Sequence, residues 1–222
     1  VIDRYDWAGG QEAMLRFGPS DGPVVVAALP LFEEANRTRS FAVTLLRLLA
    51  ERGMAGALPD MPGQGESLTS LESLDFLQMQ QGFGGAIDHI LAEGRAAYAV
   101  GIRSGALLDA QALASGRWHL APQDGSDLLR ELKRVREGEW PEDGPVAIAG
   151  NLVSQALLTD LAKPLAESPT PRRVVRLETD PKPADHKLAG TPLWRRAEPD
   201  NDPALAVLLA DDILAWVHAC EG

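Results

Sequence analysis

The chain has 222 residues, 45% of them hydrophobic, and a formal charge of −11 from 32 acidic and 21 basic side chains. That length suits one buried α/β core with at most a small insertion, and the acidity argues against nucleic acid or anionic lipid as partners. No apolar run approaches the ~18 residues of a membrane span, no signal-peptide pattern marks the start, and the lone cysteine, Cys220, points to a reducing, cytoplasmic setting.

In chain order, Gln11–Phe17 reads as a strand closed by the Gly/Pro turn at 18–23. Pro23–Leu29 is a continuous apolar run, as in a strand buried on both faces. Pro30–Arg39 reads as a polar loop, and Ser40–Arg52 as a helix stopped by Gly53. Ala55–Leu58 is a short strand before a Gly-rich loop, and a helix is predicted over Leu71–Leu91 despite Gly82, Gly84 and Gly85. Ala97–Ile102 is a strand and Ser104–Leu113 a helix. The second half alternates more loosely. Strands are predicted at Arg117–Ala121 and Arg173–Glu178 and helices at Gly125–Glu137, Ser154–Leu165 and Pro203–Val217. Val146–Ala149 is short and apolar, and Thr191–Trp194 reads as a last strand. Pro164–Pro171 and Thr179–Gly190 read as Pro-rich connectors within one domain spanning 1–222. This alternation predicts an α/β fold: a mostly parallel sheet with helices on both faces.

Two motifs carry a resemblance. Gly101-Ile102-Arg103-Ser104-Gly105, between a strand and a predicted helix, has the frame of the nucleophile elbow G-x-S-x-G, with arginine at its centre. Asp60-Met61-Pro62-Gly63-Gln64-Gly65-Glu66-Ser67 resembles the D-x-P-G-x-G-x-S loop of α/β-hydrolases. Residues 29–39, the Gly101–Leu108 turn and Pro192–Pro199 are similar to the hydrolase-like proteins associated with exosortase A systems, in the variant with a G-[LI]-R-x-G-A-L-L turn. That resemblance implies an α/β-hydrolase-like sheet, a reduced cap around 123–165, and a setting in bacterial exopolysaccharide production.

A serine hydrolase needs a nucleophile, a histidine base and an orienting acid. Arg103 cannot be the nucleophile, because its guanidinium stays protonated. Ser104 is the nearest hydroxyl, either a displaced nucleophile or a serine capping the helix start. If Thr191–Trp194 is the last strand, the following loop 195–203 supplies no histidine. If Arg173–Glu178 is last, His186 falls in the base position with Asp180 or Asp185 nearby; its plainer reading is an exposed loop histidine. His119 and His218 read as packing or surface residues, and His89 as a solvated helix residue. The scattered histidines and single cysteine give no metal-ligand pattern, and no cofactor is expected.

Arg103 itself asks for an anion, because a helix N-terminus already presents partial positive charge. An internal partner would be Glu33, Glu34, Asp60 or Glu198. An external one would be a carboxylate, phosphate or sulfate held by Arg103, free N–H groups and Arg37, at a pocket that includes Phe32. The internal pair is the preferred reading. The expected function is a degenerate hydrolase-like protein, without serine-hydrolase activity, that binds a small anionic metabolite or a protein partner. The alternatives are an ester or thioester hydrolase with a non-standard site and a pure interaction scaffold.

Overall fold

The computed structural model describes residues 1–136, 138–165 and 168–222. The expected helix end at Glu137 and part of the connector 164–171 lie outside the described residues. Eight strands form one sheet: β1 (Ile2–Trp7), β2 (Gly10–Phe17), β3 (Val24–Ala28), β4 (Ala55–Pro59), β5 (Ala97–Ile102), β6 (Gly116–Leu120), β9 (Arg172–Leu177) and β10 (His186–Leu188). Their spatial order is β1-β2-β4-β3-β5-β6-β9-β10. The β1–β2 and β2–β4 pairs are antiparallel and the other neighbours parallel. Strands β7 (Val146–Ile148) and β8 (Asn151–Val153) form a separate antiparallel hairpin.

The apolar runs at β3 and β5 explain the layering, because alternate strand residues face opposite sides. Val24, Val26 and Ala28 enter one core with Ala97 and Ala99, under helix α2 (Phe76–Ala92). Val25 and Ala27 enter the other with Tyr98, Val100 and Ile102, under helices α1 (Glu33–Glu51) and α5 (Pro203–Glu221). Between β6 and β9 the chain adds α3 (Gly125–Val135), the β7–β8 hairpin and α4 (Gln155–Leu161), where the reduced cap was expected. Their apolar residues Leu128, Leu132, Val153 and Leu157 join the α2 core.

Several expected elements differ. Strand β1 is absent from the sequence reading because only Tyr5 on it is fully buried. The predicted loop at 30–39 is helical from Glu33. Thr38, Phe41, Ala42, Leu45, Leu46 and Leu49 form its buried face, and Glu33 pairs with Arg37 one turn on. The helix expected at Leu71–Leu91 is a 3-10 turn at Leu71–Ser73, then α2 entered through an Asp75/Gln78 capping box. The expected strand Thr191–Trp194 contains a 3-10 turn, Leu193–Arg195; the terminal strand is β10, paired parallel with β9.

The helix expected after Arg103 is only a 3-10 turn, Arg103–Leu107. The carbonyls that would propagate a helix are taken by side chains. Gln80 Nε2 donates to Leu107 O at 2.9 Å, and Arg117 Nη2 donates to Asp109 O and Ala112 O at 2.9 and 2.7 Å. Helix α5 is long and apolar enough to cross a membrane by length and composition alone, contrary to the absence expected from the sequence. It carries Asp211 and Asp212 midway, and Leu205, Leu209, Ile213 and Val217 pack into the α1 core.

Candidate functional site

The C-terminal ends of three neighbouring parallel strands carry non-glycine residues at positive φ: Phe32 beyond β3 (61°), Arg103 after β5 (55°) and Ala121 after β6 (45°). Such conformations cost of order 1–3 kcal/mol each and persist where surrounding structure enforces them. At the elbow, glycines do so by close approach. A Cβ on Gly101 would lie 2.6 Å from Ala106 Cα, and one on Gly105 would strike the carbonyl oxygens of Ala28 and Leu29. The G-x-x-x-G frame is therefore a packing requirement, independent of which side chain stands between.

Arg103 is largely enclosed. Its Nε lies 3.3 Å from Glu34 Oε2, at the start of α1. Its Nη1 donates to Ala121 O at 3.5 Å, and Nη2 stands 4.0 Å from Glu131 Oε2 on α3. The guanidinium lies 5.1 Å from the Trp194 ring centroid, within cation–π range. Burial pushes the Glu34 carboxyl above its usual range, and the Arg103 charge only partly offsets this. Since no α-helix follows, the helix-dipole argument for an anion at Arg103 does not hold; Arg103 meets its anion in Glu34.

Above Arg103 lies a cleft of about 400 Å³. Three walls close it: the polar face of α3, the loop between β9 and β10, and the Leu193–Arg195 turn. Arg103, Arg130, Arg134, Arg176, Lys182 and Arg195 line it, against Asp127, Glu131 and Asp180. Some of these charges are matched. Arg176 pairs with Asp180 at 2.7 Å, while Arg130 and Lys182 share Asp127 at 2.7 and 3.1 Å. Arg134 and Arg195 have no anionic partner among the described residues. Among the described residues, no histidine, serine or cysteine lines the cleft.

The other candidate residues are placed as follows. Ser104 is fully buried and its Oγ accepts the Leu31 N–H at 2.9 Å. His186 lies within β10, and its Nδ1 meets Asp212 on α5 at 2.6 Å. Asp180 lines the cleft but is tied to Arg176, and Asp185 accepts the Val174 N–H at 2.7 Å. The structure therefore does not gather Ser104, His186 and Asp180 into one catalytic group, because each is bonded to a different element. Glu33 answers Arg37, whose Nη1 also donates to Trp194 O at 3.3 Å. Asp60 answers Arg39 at 2.8 Å, and Glu198 is exposed. Phe32 is half-buried at the α1 start.

A second cavity of about 500 Å³ lies alongside and includes Asp109, Arg117 and His119. His119 Nε2 stands 2.7 Å from Asp109 Oδ2, and Arg117 Nε 3.4 Å from Asp109 Oδ1, all three residues being buried. His119, read from sequence as a packing or surface residue, thus belongs to a buried polar cluster. The cleft residues on α3 escaped sequence reading as well. The spacing of Asp127, Arg130, Glu131 and Arg134 shows a polar helix face, but nothing local distinguishes a cleft wall from a solvated face. Asp3, His89 and Glu93 offer ligand atoms within 4.8 Å of one another, yet Arg16 already bridges the two carboxylates at 3.1 and 2.7 Å.

No family model and no curated protein matches the chain. Solved structures do. A haloalkane dehalogenase loop variant from Bradyrhizobium elkanii superposes with a TM-score of 0.64 at 13% identity, covering 100% of this chain and 97% of that one. A putative α/β hydrolase of unknown function from Agrobacterium tumefaciens gives 0.62 at 12%, covering 99% and 97%. An α/β serine hydrolase homologue from Coxiella burnetii gives 0.59 at 12%, covering 96% and 97%. At such identities the likeness is one of fold: a mostly parallel eight-stranded sheet with flanking helices, as in α/β hydrolases.

Proposed function

We propose that this hydrolase-fold chain binds a small anionic molecule in the cleft above Arg103 and performs no serine-hydrolase chemistry there. The observation that carries the reading is the composition of the cleft wall. Among the described residues, six cationic side chains face three carboxylates, with no imidazole, serine or thiol in the lining, in a protein of net charge −11. Concentrated positive charge in a concave site raises the local concentration of anions. Arg134 and Arg195 supply guanidinium forks not already spent on internal partners, and such forks suit carboxylate or phosphate oxygens. Arg103 is the positioning centre, held by Glu34 and Trp194. The sequence resemblance to exosortase-associated proteins supports exopolysaccharide production as the setting, and the single cysteine supports a cytoplasmic one.

The test is thermal unfolding with phosphate, sulfate and small carboxylates, beside an Arg134→Glu/Arg195→Glu double variant and an Arg47→Glu control. Ligand at ~100 times its Kd stabilises the native state by ~2.7 kcal/mol. The parent and the control should gain thermal stability and the double variant should not. Equal shifts in all three would refute the anion site. Turnover of p-nitrophenyl acetate above the buffer rate would refute the non-catalytic half of the reading.

A further inference from the structure

Gln123 holds a hydrogen-bond acceptor with no donor. The residue is 4% exposed, and its Nε2 donates to Glu131 Oε2 at 2.8 Å. That bond fixes the amide, because the flipped form would set two oxygens against each other. The remaining atom, Oε1, is sealed from solvent and unpartnered. Buried acceptors in native proteins are normally satisfied, and of the two orphaned acceptors among the described residues, Gln123 Oε1 and Asn201 Oδ1, only the first belongs to a residue of the cleft. Gln123 borders both the cleft and the second cavity, and its backbone N–H donates to Arg103 O at 3.4 Å. Its side-chain partner Glu131 belongs to the cleft wall, as do the unpaired Arg134 and Arg195.

These groups make opposite demands. Guanidinium forks call for an anion, while a carbonyl-type acceptor repels one and calls for a donor. A plain carboxylate satisfies only the first demand. We infer that the ligand is a hydroxylated anion, a small hydroxy-carboxylate or hydroxylated phosphate ester, whose hydroxyl donates to Gln123 Oε1 while Arg134 and Arg195 take the charged end. This rests on the proposed anion-binding role of the cleft and narrows it. Oε1 is sealed from solvent, so the inference requires the Gln123 amide to turn toward the cleft when the ligand binds.

The experiment is titration calorimetry on the whole chain with two matched pairs: lactate against propionate, and 2-hydroxypropyl phosphate against propyl phosphate. One added hydrogen bond predicts ~5-fold tighter binding of the hydroxylated member. The pair that shows it identifies the carboxylate or the phosphate ester as the better fit. In Gln123→Leu the ratio of the two affinities should fall to about one, whatever the absolute affinities become once Glu131 loses the Nε2 donor. A preference that survives in Gln123→Leu overturns the assignment to Gln123. Equal binding of both members by the parent overturns the hydroxyl inference and leaves the anion site standing. Binding of none overturns the anion site itself. The parent comparison needs no variant, so the inference stays exposed even if Gln123→Leu folds poorly.

Discussion

Arg103 Nε and Glu34 Oε2 lie 3.3 Å apart, joining the strained residue after β5 to the first turn of α1. Both side chains are mostly enclosed, at 13% and 19% exposure. The pair thus closes the base of the cleft from two different elements. Removing either partner leaves the other's charge poorly solvated, which costs more than an exposed pair would.

Arg103→Ala is therefore expected to lower stability by about 1–3 kcal/mol, read from the urea midpoint. The same change made in a Glu34→Gln background should cost less. Equal losses in both backgrounds would show that the two residues are not energetically coupled.

Arg103→Ser restores a hydroxyl at the elbow but should gain no esterase activity. The three histidine–aspartate pairs among the described residues, His89–Asp3, His119–Asp109 and His186–Asp212, all lie outside the cleft wall. Measurable hydrolysis of p-nitrophenyl acetate by this variant, absent from the parent, would mean that a base reaches the elbow after all.

Acid should act through Asp212. Burial pushes this carboxyl up, but hydrogen bonds from Arg173, Trp118 and His186 outweigh it and hold the pKa down at about 2, against an ordinary 3.8. A carboxyl depressed on folding contributes stability that is fully present above its ordinary pKa and is lost as pH falls through the folded value. Stability should thus fall between pH 3.8 and about 2. Asp212→Asn should be weaker at neutral pH and flatter across that window. Glu34 carries the opposite sign, since its pKa is raised above 4.5 by burial. Folding is favoured as pH falls through the raised value, and Glu34→Gln should remove that gain. Urea midpoints across an acid pH series read both effects.

Gly105→Ala should prevent folding or cost at least ~3 kcal/mol. The added Cβ would meet the backbone oxygens of Ala28 and Leu29, and a sheet strand has little room to retreat. Gly84 has nothing within 4 Å of such a Cβ, so Gly84→Ala should be neutral or stabilising by ~1 kcal/mol, as in other helix interiors. Circular dichroism melts separate the two outcomes.

Arg117→Met should destabilise by ~3 kcal/mol, since it strands the Asp109 and Ala112 carbonyls and leaves Asp109 with only His119. Hydrogen exchange should show the loss first in the segment after the elbow. Unchanged protection at residues 105–115 would rule out Arg117 as its clamp.

The α/β class was legible in the sequence because β3 and β5 are continuous apolar runs, and a strand buried on both faces has no other composition open to it. The Gly101 and Gly105 frame was legible too, because the elbow admits no Cβ at either position. What depended on distant partners was not. Glu33–Arg39 looks like a loop in isolation and becomes helix by packing Thr38 and its neighbours against the sheet. The helix expected after Arg103 is lost to Gln80 and Arg117, which reach its carbonyls from α2 and β6. Glu34 could be named among four possible acids for Arg103, but only tertiary packing chose it, by giving Glu33 and Asp60 to other arginines. The cleft is likewise a tertiary product. Charges from α3, the β9–β10 loop and the Leu193–Arg195 turn acquire a common purpose only when the chain brings them within reach of one small ligand. Local sequence fixes backbone preference and burial, whereas the pairing of charges is settled by distances that exist only in the folded chain.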